Sequence, residues 1–416
     1  MTSETTPMKR LSLSFVLLAS TLVASAAHAQ PTTKCADPSR PNLVYAAGST
    51  ALRPFLSVMA PLLAAETPPY TIVYQSQGSC TGVSAIFDNA KRTLRDVVGN
   101  NAVYYRADGT TEECSLNLAS VEPPAPPPMW PEVNLGISDV FASSCGATAP
   151  AGVTIADFYG PIQPMTFVVP SLSKQTVISA DAAYMAFGLG GAAGKAAPWT
   201  DPTLFFVRNA SSGTQQMLAR AVNVPAERWW GRNRGSATAV TNGLKVVLDA
   251  ATAEKSLGIL STDNADAERN NLRILAFKAR GQSCGYLPDS TPFAKDKANV
   301  RDGHYPIWGP VHLFARTSGG LPDAAAGAFV GRFATVRVDR ALLDAIISRG
   351  LVPQCAMRVT RTEEMGPMSS VAPAFECGCY FDSKANGATP CKTCAGSADC
   401  AGTATPACNF GFCEAR

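Results

Sequence analysis

An α/β chain in two domains about a central cleft, extended by a small disulfide-rich tail, is what the sequence predicts. Three observations predict it. Strand-like apolar runs alternate with helix-spaced segments from Leu43 onward, small-residue loops follow one strand-like run after another, and seven of the thirteen cysteines crowd between Cys377 and Cys413.

The runs LVYAAG and YTIVYQS are rich in β-branched and aromatic residues. Each passes through a small-residue loop into a segment with helical apolar spacing, ALRPFLSVMAPLLA and TGVSAIFDNA. From about Arg92 to Glu132 the alternation breaks into polar sequence containing PPAPPP, which reads as an insertion or long loop. Order resumes with VNLGISDVF and MTFVVP. ISADAAYMAFG predicts a helix capped at Ser179, and FFVRNASSGTQQMLARAV a strand, a tight turn and a helix. Gly235 to Ala253 reads as helical and SLGILS as a strand. YPIWGPVHLFA is a further strand, and DRALLDAIISRG a helix with Asp339 to cap it and Gly350 to end it. The expected division is a signal segment at 1–29, one domain from 30–168 with 305–365 (insertion about 92–132), a second at 169–304, and the tail at 366–416.

At 416 residues, 46% apolar and 16% charged, the chain can bury a sizeable core, and a net charge of +3 implies no polyelectrolyte partner such as nucleic acid. Lys9 and Arg10, the apolar run Leu11 to Ala24 and the triplet Ala27-His28-Ala29 read as a secretory signal peptide. That run falls short of the ~20 residues a membrane span needs. An exported protein, periplasmic or at the cell surface, with no membrane span in the mature chain is the expectation. In that setting the cysteines read as disulfides. Cys35, Cys80, Cys114, Cys145, Cys284 and Cys355 are scattered over the body, their pairing is open, and the odd total leaves one thiol unpaired.

Four loops offer an anion the same chemistry. A helix start leaves N–H groups unpaired and carries partial positive charge, so small hydroxyl residues there, with a guanidinium nearby, form an anion cradle. Arg208 with Ser212, Gly213 and Thr214 is the fullest instance; Gly48-Ser49-Thr50-Ala51, Gly78-Ser79-Cys80-Thr81-Gly82 and Ser138-Asp139 are the others. Taken singly, each is an ordinary turn or helix cap. Loops at the carboxyl ends of strands converge on the ligand crevice of an α/β fold, so together they form a candidate site.

In this order, GSTALRP, QGSCTGVSAI, GISDVF, VRNASSGT, SLGILS and YPIWGP, the chain resembles the phosphate-binding subunit of bacterial ABC phosphate importers, a periplasmic type II solute-binding protein. The resemblance runs from Leu43 to about Val352, and its strongest element is Arg-x-x-x-Ser-Gly-Thr at Arg208, Ser212, Gly213 and Thr214. It implies that Thr50 and the Ala51 N–H hold one face of a phosphate, with Ser79 beside them. Asp139 accepts the ligand's proton, and Arg208, Ser212, Gly213 and Thr214 close the other side. The family's aromatic residue after the first threonine is Ala51 here, and the insertion lengthens the spacing before Asp139. Implied partners are inorganic phosphate, with arsenate as an analogue, and an ABC permease if the protein stays periplasmic; no cofactor, metal or enzymatic activity is implied. An acidic acceptor suits hydrogen phosphate, which keeps an O–H, and disfavours sulfate, which keeps none at neutral pH.

Two other readings stand beside this one. A secreted hydrolase of phosphate or acyl esters would need a base, for which His304 and His312 are the histidines beyond the signal segment, and no G-x-S-x-G elbow is present. A surface interaction protein could keep the fold and lose the ligand. The tail, poor in core-forming residues, is expected to be held by disulfides, with a zinc site on Cys391 and Cys394 as the competing reading. On that basis the residues after Thr360 are expected to lie away from the cleft.

Overall fold

The computed structural model describes residues 31–119, 127–190, 196–333 and 339–416; the expected signal segment and part of the PPAPPP run lie outside them. In chain order the body strands are β1 (Leu43–Gly48), β2 (Thr71–Ser76), β3 (Ala102–Tyr105), β4 (Thr111–Cys114), β5 (Leu135–Ser138), β6 (Thr154–Pro170) and β7 (Val177–Ser179). They continue as β8 (Phe205–Val207), β9 (Arg232–Asn233), β10 (Leu257–Ser261), β11 (Leu272–Ile274), β12 (Ala276–Lys278) and β13 (Trp308–Ser318). One mixed sheet runs β4-β3-β2-β1-β5-β13-β6-β10-β8-β9, with β11 also on β6.

The β6–β13 pair carries the chain between the two halves of that sheet. They run antiparallel from Trp308 opposite Pro164 to Thr317 opposite Thr154. β13 pairs β5 on one side, while the far end of β6 pairs β10 and β11 on the other. In the first half β1, β2 and β5 are parallel; in the second β8 and β10 are parallel. Each half therefore sends its parallel strand ends, and the loops after them, to one edge.

Helices cover the sheet as their apolar spacing requires. Leu56, Met59 and Leu63 of the helix Arg53–Ala64 bury against Ile72, Leu135 and Leu313, and Val83 and Ile86 of Ser79–Phe87 bury on the opposite face. In the second half Met217, Leu218 and Val222 of Gly213–Val222 join Phe167, Phe187 and Phe205. Each such side chain contributes about 1.5 to 3 kcal/mol of burial. Asp339 caps Arg340–Ser348 by accepting from the Leu342 N–H at 2.6 Å, and Gly350 follows at φ +69°, as its sequence predicts.

Two expectations are corrected. The stretch 92–132 holds β3 and β4, an antiparallel pair that extends the sheet beyond β2, with Val103 and Tyr105 buried. Strands of four residues set in polar sequence carry too little alternation to stand out. The tail is also docked onto the body. Cys355 pairs with Cys377, and Tyr380 and Phe381 of the helix Gly378–Asn386 enter the same core as Trp308. The Tyr380 hydroxyl donates to Asp344 at 2.6 Å, and Arg301 pairs with Asp382. The remaining bridges are Cys35–Cys114, Cys80–Cys145, Cys379–Cys391, Cys394–Cys408 and Cys400–Cys413, which leaves Cys284 as the free thiol. Cys391 and Cys394 are both consumed by disulfides, which removes the zinc reading.

Candidate functional site

Asp139, immediately after β5, is the point on which the loops converge. Its carboxylate is 2% exposed. Oδ2 accepts from Ser49 Oγ at 2.6 Å and Ser79 Oγ at 3.0 Å, while the Asp139 N–H donates to Ser79 Oγ at 3.1 Å. Oδ1 is buried and has no hydrogen-bond partner. Burial pushes the carboxyl up to about 6, and the charge of Asp263 adds to that, against the opposing pull of the two serine hydroxyls and Arg208.

Arg208, the first residue after β8, enters from the other half. It is 2% exposed, its Nη2 donates to Thr50 Oγ1 at 2.7 Å and its Nε to the Gly235 carbonyl at 3.2 Å. Among the described residues no carboxylate lies within ion-pair distance of it. Burial brings its guanidinium down to about 10, opposed by Asp139. The backbone is held as well, the Arg208 N–H donating to Gln215 Oε1 at 2.8 Å.

Helix starts differ in their caps, and several, among them Thr262–Ala267, Ala298–Arg301 and Gly378–Asn386, receive none from a side chain. Ser179, Ser236, Asp249, Asp323 and Asp339 each cap a helix by accepting a backbone N–H. At Arg53–Ala64, Ser79–Phe87 and Gly213–Val222 no side chain does so, although Ser212 sits in the cap position of the last. Those three starts follow the Thr50, Gly78 and Ser212 loops. An uncapped helix start retains donors for an anion.

Seven of the eight residues expected from sequence carry a described placement at this locus. Thr50 is bonded to Arg208, and Ser79 to Asp139. Ala51 is buried with its N–H directed to Ser49 Oγ at 3.2 Å. Gly213 abuts Asp139: a methyl group there would stand 2.3 Å from Ser79 Oγ and 2.6 Å from Asp139 Oδ2, so only glycine allows the approach. Ser212 precedes it, buried. The eighth, Thr214, is buried in the first turn of the same helix, with no side-chain bond of its own.

Loops from the two halves are bonded across the mouth of the site. The Cys80 N–H donates to the Ser211 carbonyl at 3.0 Å and Ser211 Oγ to the Gln77 carbonyl at 3.2 Å. Outside this contact lies a polar cleft of about 1180 Å3, lined by Arg53, Arg234, Asn209 and Asn264 and reaching inward to Thr50. The Cys80–Cys145 disulfide fastens the Ser79 helix to the turn that follows Asp139.

Two contributors escaped the sequence reading. Ser49, placed in a candidate loop but given no role of its own, is one; its hydroxyl makes the shortest bond to Asp139. The other is Glu364, which lies beyond Thr360 and yet sits half-buried against the loop after Asp139, correcting the expectation for that segment. Its Oε2 accepts from the Phe141 N–H at 3.1 Å and Ser144 Oγ at 3.5 Å. Burial raises its carboxyl to about 7, the Phe141 N–H and Arg361 pulling the other way and the charge of Asp139 adding to the rise. No local signal marks a residue whose partners lie 220 positions away.

His304 is exposed and bonded to Asp302, and His312 is buried with Nδ1 2.9 Å from Asp157. Among the described contacts neither ring meets a serine or threonine hydroxyl.

No protein-family model matches this sequence, and no curated protein does. Among solved structures it is similar to an ABC-type phosphate transport receptor from Vibrio cholerae (13% identity, TM-score 0.45, 74% of this chain and 99% of that one). It is similar also to a phosphate-binding protein from Stenotrophomonas maltophilia (15%, TM-score 0.44, 78% and 91%). A third is a high-affinity periplasmic phosphate-binding protein bound with phosphate (14%, TM-score 0.47, 74% and 90%).

Proposed function

We propose that this chain is an exported solute-binding protein that captures inorganic phosphate between the two halves of its sheet, for uptake through a permease or for scavenging. One observation carries the reading. A buried arginine without a carboxylate ion-pair partner acts electrostatically on a buried carboxylate whose Oδ1 has no hydrogen-bond partner, and the uncapped start of Gly213–Val222 abuts that carboxylate. Leaving either charge so placed is costly. A singly protonated oxyanion answers both: its oxygens accept from Arg208, Thr50 and the N–H groups of Ser79, Gly213 and Thr214, and its O–H donates to Asp139 Oδ1. Phosphate and arsenate retain that O–H at neutral pH; sulfate does not.

The direct Arg208–Thr50 and Cys80–Ser211 bonds belong to a closed arrangement, and entry requires the halves, residues 30–168 with 305–365 and residues 169–304, to part about β6 and β13. Thermal unfolding with phosphate, arsenate, sulfate and molybdate tests the reading. Phosphate and arsenate at 100 times their dissociation constants should stabilise by about 2.7 kcal/mol. Absence of any stabilisation by phosphate would favour an interaction protein that has lost its ligand.

A further inference from the structure

A second buried cation lies outside this site. Arg361, 3% exposed, lies with its Cζ 4.2 Å from the centre of the Trp308 ring. The hydrogen bond it makes is a weak one, from Nη1 to the Met365 sulfur at 3.5 Å, and its Nε is buried without a partner. Among the described residues it forms no ion pair. The Trp308 Nε1 is likewise buried and unpartnered. Both residues line one cavity of about 330 Å3 between the body and the docked tail, whose other walls are largely apolar: Tyr159, Ile162, Met357 and Phe333.

From this geometry we infer that the cavity is a second ligand site, for a small carboxylic acid with an apolar or aromatic body. The volume falls at the small end of those that hold organic ligands. Walls of aromatic and aliphatic side chains favour an apolar body, and a buried guanidinium that lines the cavity without an ion pair calls for an acceptor. A guanidinium stacked on an indole presents its edge for the bidentate pairing that a carboxylate makes. Glu364 acts on the Arg361 charge from nearby, but no ion pair joins the two, and its Oε1 has no hydrogen-bond partner. Its Oε2 is given to the Phe141 N–H and Ser144, and burial holds its proton on to about 7. Burial has correspondingly brought Arg361 down to about 10. An anion that enters the cavity restores the charge balance.

The full mature chain, titrated calorimetrically with phenylpropionate, phenylpropanol and phenylpropylamine, tests this. Phenylpropionate should bind at least ~10-fold more tightly than the alcohol, and the amine should not bind, because only a charged acceptor pairs with the guanidinium. Arg361→Met should remove that preference and leave the alcohol unaffected. Ala374→Trp, at an exposed position on the cavity wall, should block all three without touching Arg361. Saturating inorganic phosphate should not compete, which separates this site from the phosphate site. Equal affinity for acid and alcohol, or acid binding that survives both Arg361→Met and Ala374→Trp in folded protein, overturns the inference. So does a lack of phenylpropionate binding up to ~10 mM, beyond the millimolar range of a weak site.

Discussion

Arg208 Nη2 donates to Thr50 Oγ1 at 2.7 Å, joining residues 158 positions apart on opposite halves of the sheet. The bond supplies the guanidinium with a neutral acceptor and leaves its charge unanswered. A bound phosphate should take over that role, so Arg208→Ala should weaken phosphate binding by about 2 to 4 kcal/mol in titration calorimetry, and Arg208→Lys should recover part of it without the fork. Unchanged affinity in Arg208→Ala would place the anion elsewhere.

Asp139 should make the ligand-free protein less stable as pH rises. Its folded-state pKa of about 6 lies above the ordinary aspartate value of 3.8, so the native state holds more protons than the unfolded state between them. Stability therefore falls through that window, and Glu364, raised from 4.5 to about 7, continues the fall to neutral pH. Asp139→Asn should stabilise the ligand-free protein at neutral pH by something on the order of 3 kcal/mol, with the gain vanishing toward pH 4. A pH-independent difference in thermal unfolding would contradict the assignment.

The same shift governs the ligand. Below about pH 6 the Asp139 carboxyl is protonated in the free protein and must lose its proton to accept one from monoanionic phosphate. Phosphate affinity should then decline by up to about tenfold per pH unit toward pH 5. Affinity that rises steadily over this range would show that Asp139 acts as a donor.

What sequence makes legible is whatever has a local period or a short motif. The strand, turn and helix from Phe205 to Val222 are there because Met217, Leu218 and Val222 share one buried face, and the Arg-x-x-x-Ser-Gly-Thr spacing places Arg208 before that helix start. The β3–β4 pair was hidden by its brevity. The docking of Tyr380 and Phe381 was hidden because the tail's composition is that of a loop, and two aromatic residues suffice to anchor it. The bonds of Ser49 to Asp139 and of Glu364 to Phe141 join residues 90 and 223 positions apart, contacts that no window of sequence contains.

Gly213 tests the closeness of the two halves. A methyl group there meets Ser79 Oγ at 2.3 Å, and neither Ser79 nor Asp139 is free to move, being bonded to each other. Gly213→Ala should cost about 1 to 3 kcal/mol of stability by overpacking and should weaken phosphate binding with it. A variant that keeps parental melting and affinity would show that the closed packing is not the binding arrangement.

Glu364 ties the far end of the chain to the site. Glu364→Gln keeps an acceptor for the Phe141 N–H and should retain phosphate binding, whereas ending the chain after Thr360 removes Arg361, Glu364 and the Cys377 partner of Cys355 together. Loss of a native disulfide alone typically costs about 2 to 5 kcal/mol. The shortened chain should melt markedly earlier and bind phosphate more weakly. Full binding by a stable truncated chain would detach the tail from the site.

The most direct measurement is calorimetric titration of the parent protein and Asp139→Asn with phosphate and with sulfate. Near pH 7.5 the parent should bind phosphate and reject sulfate, and Asp139→Asn should admit sulfate, because removing the carboxylate charge removes the repulsion that only an O–H on the ligand relieves. Any sulfate binding by the parent should strengthen as pH falls. Parental sulfate binding as tight as that of phosphate, and flat from about pH 7.5 to pH 5, would contradict a proton-accepting Asp139 and leave a general oxyanion receptor in its place.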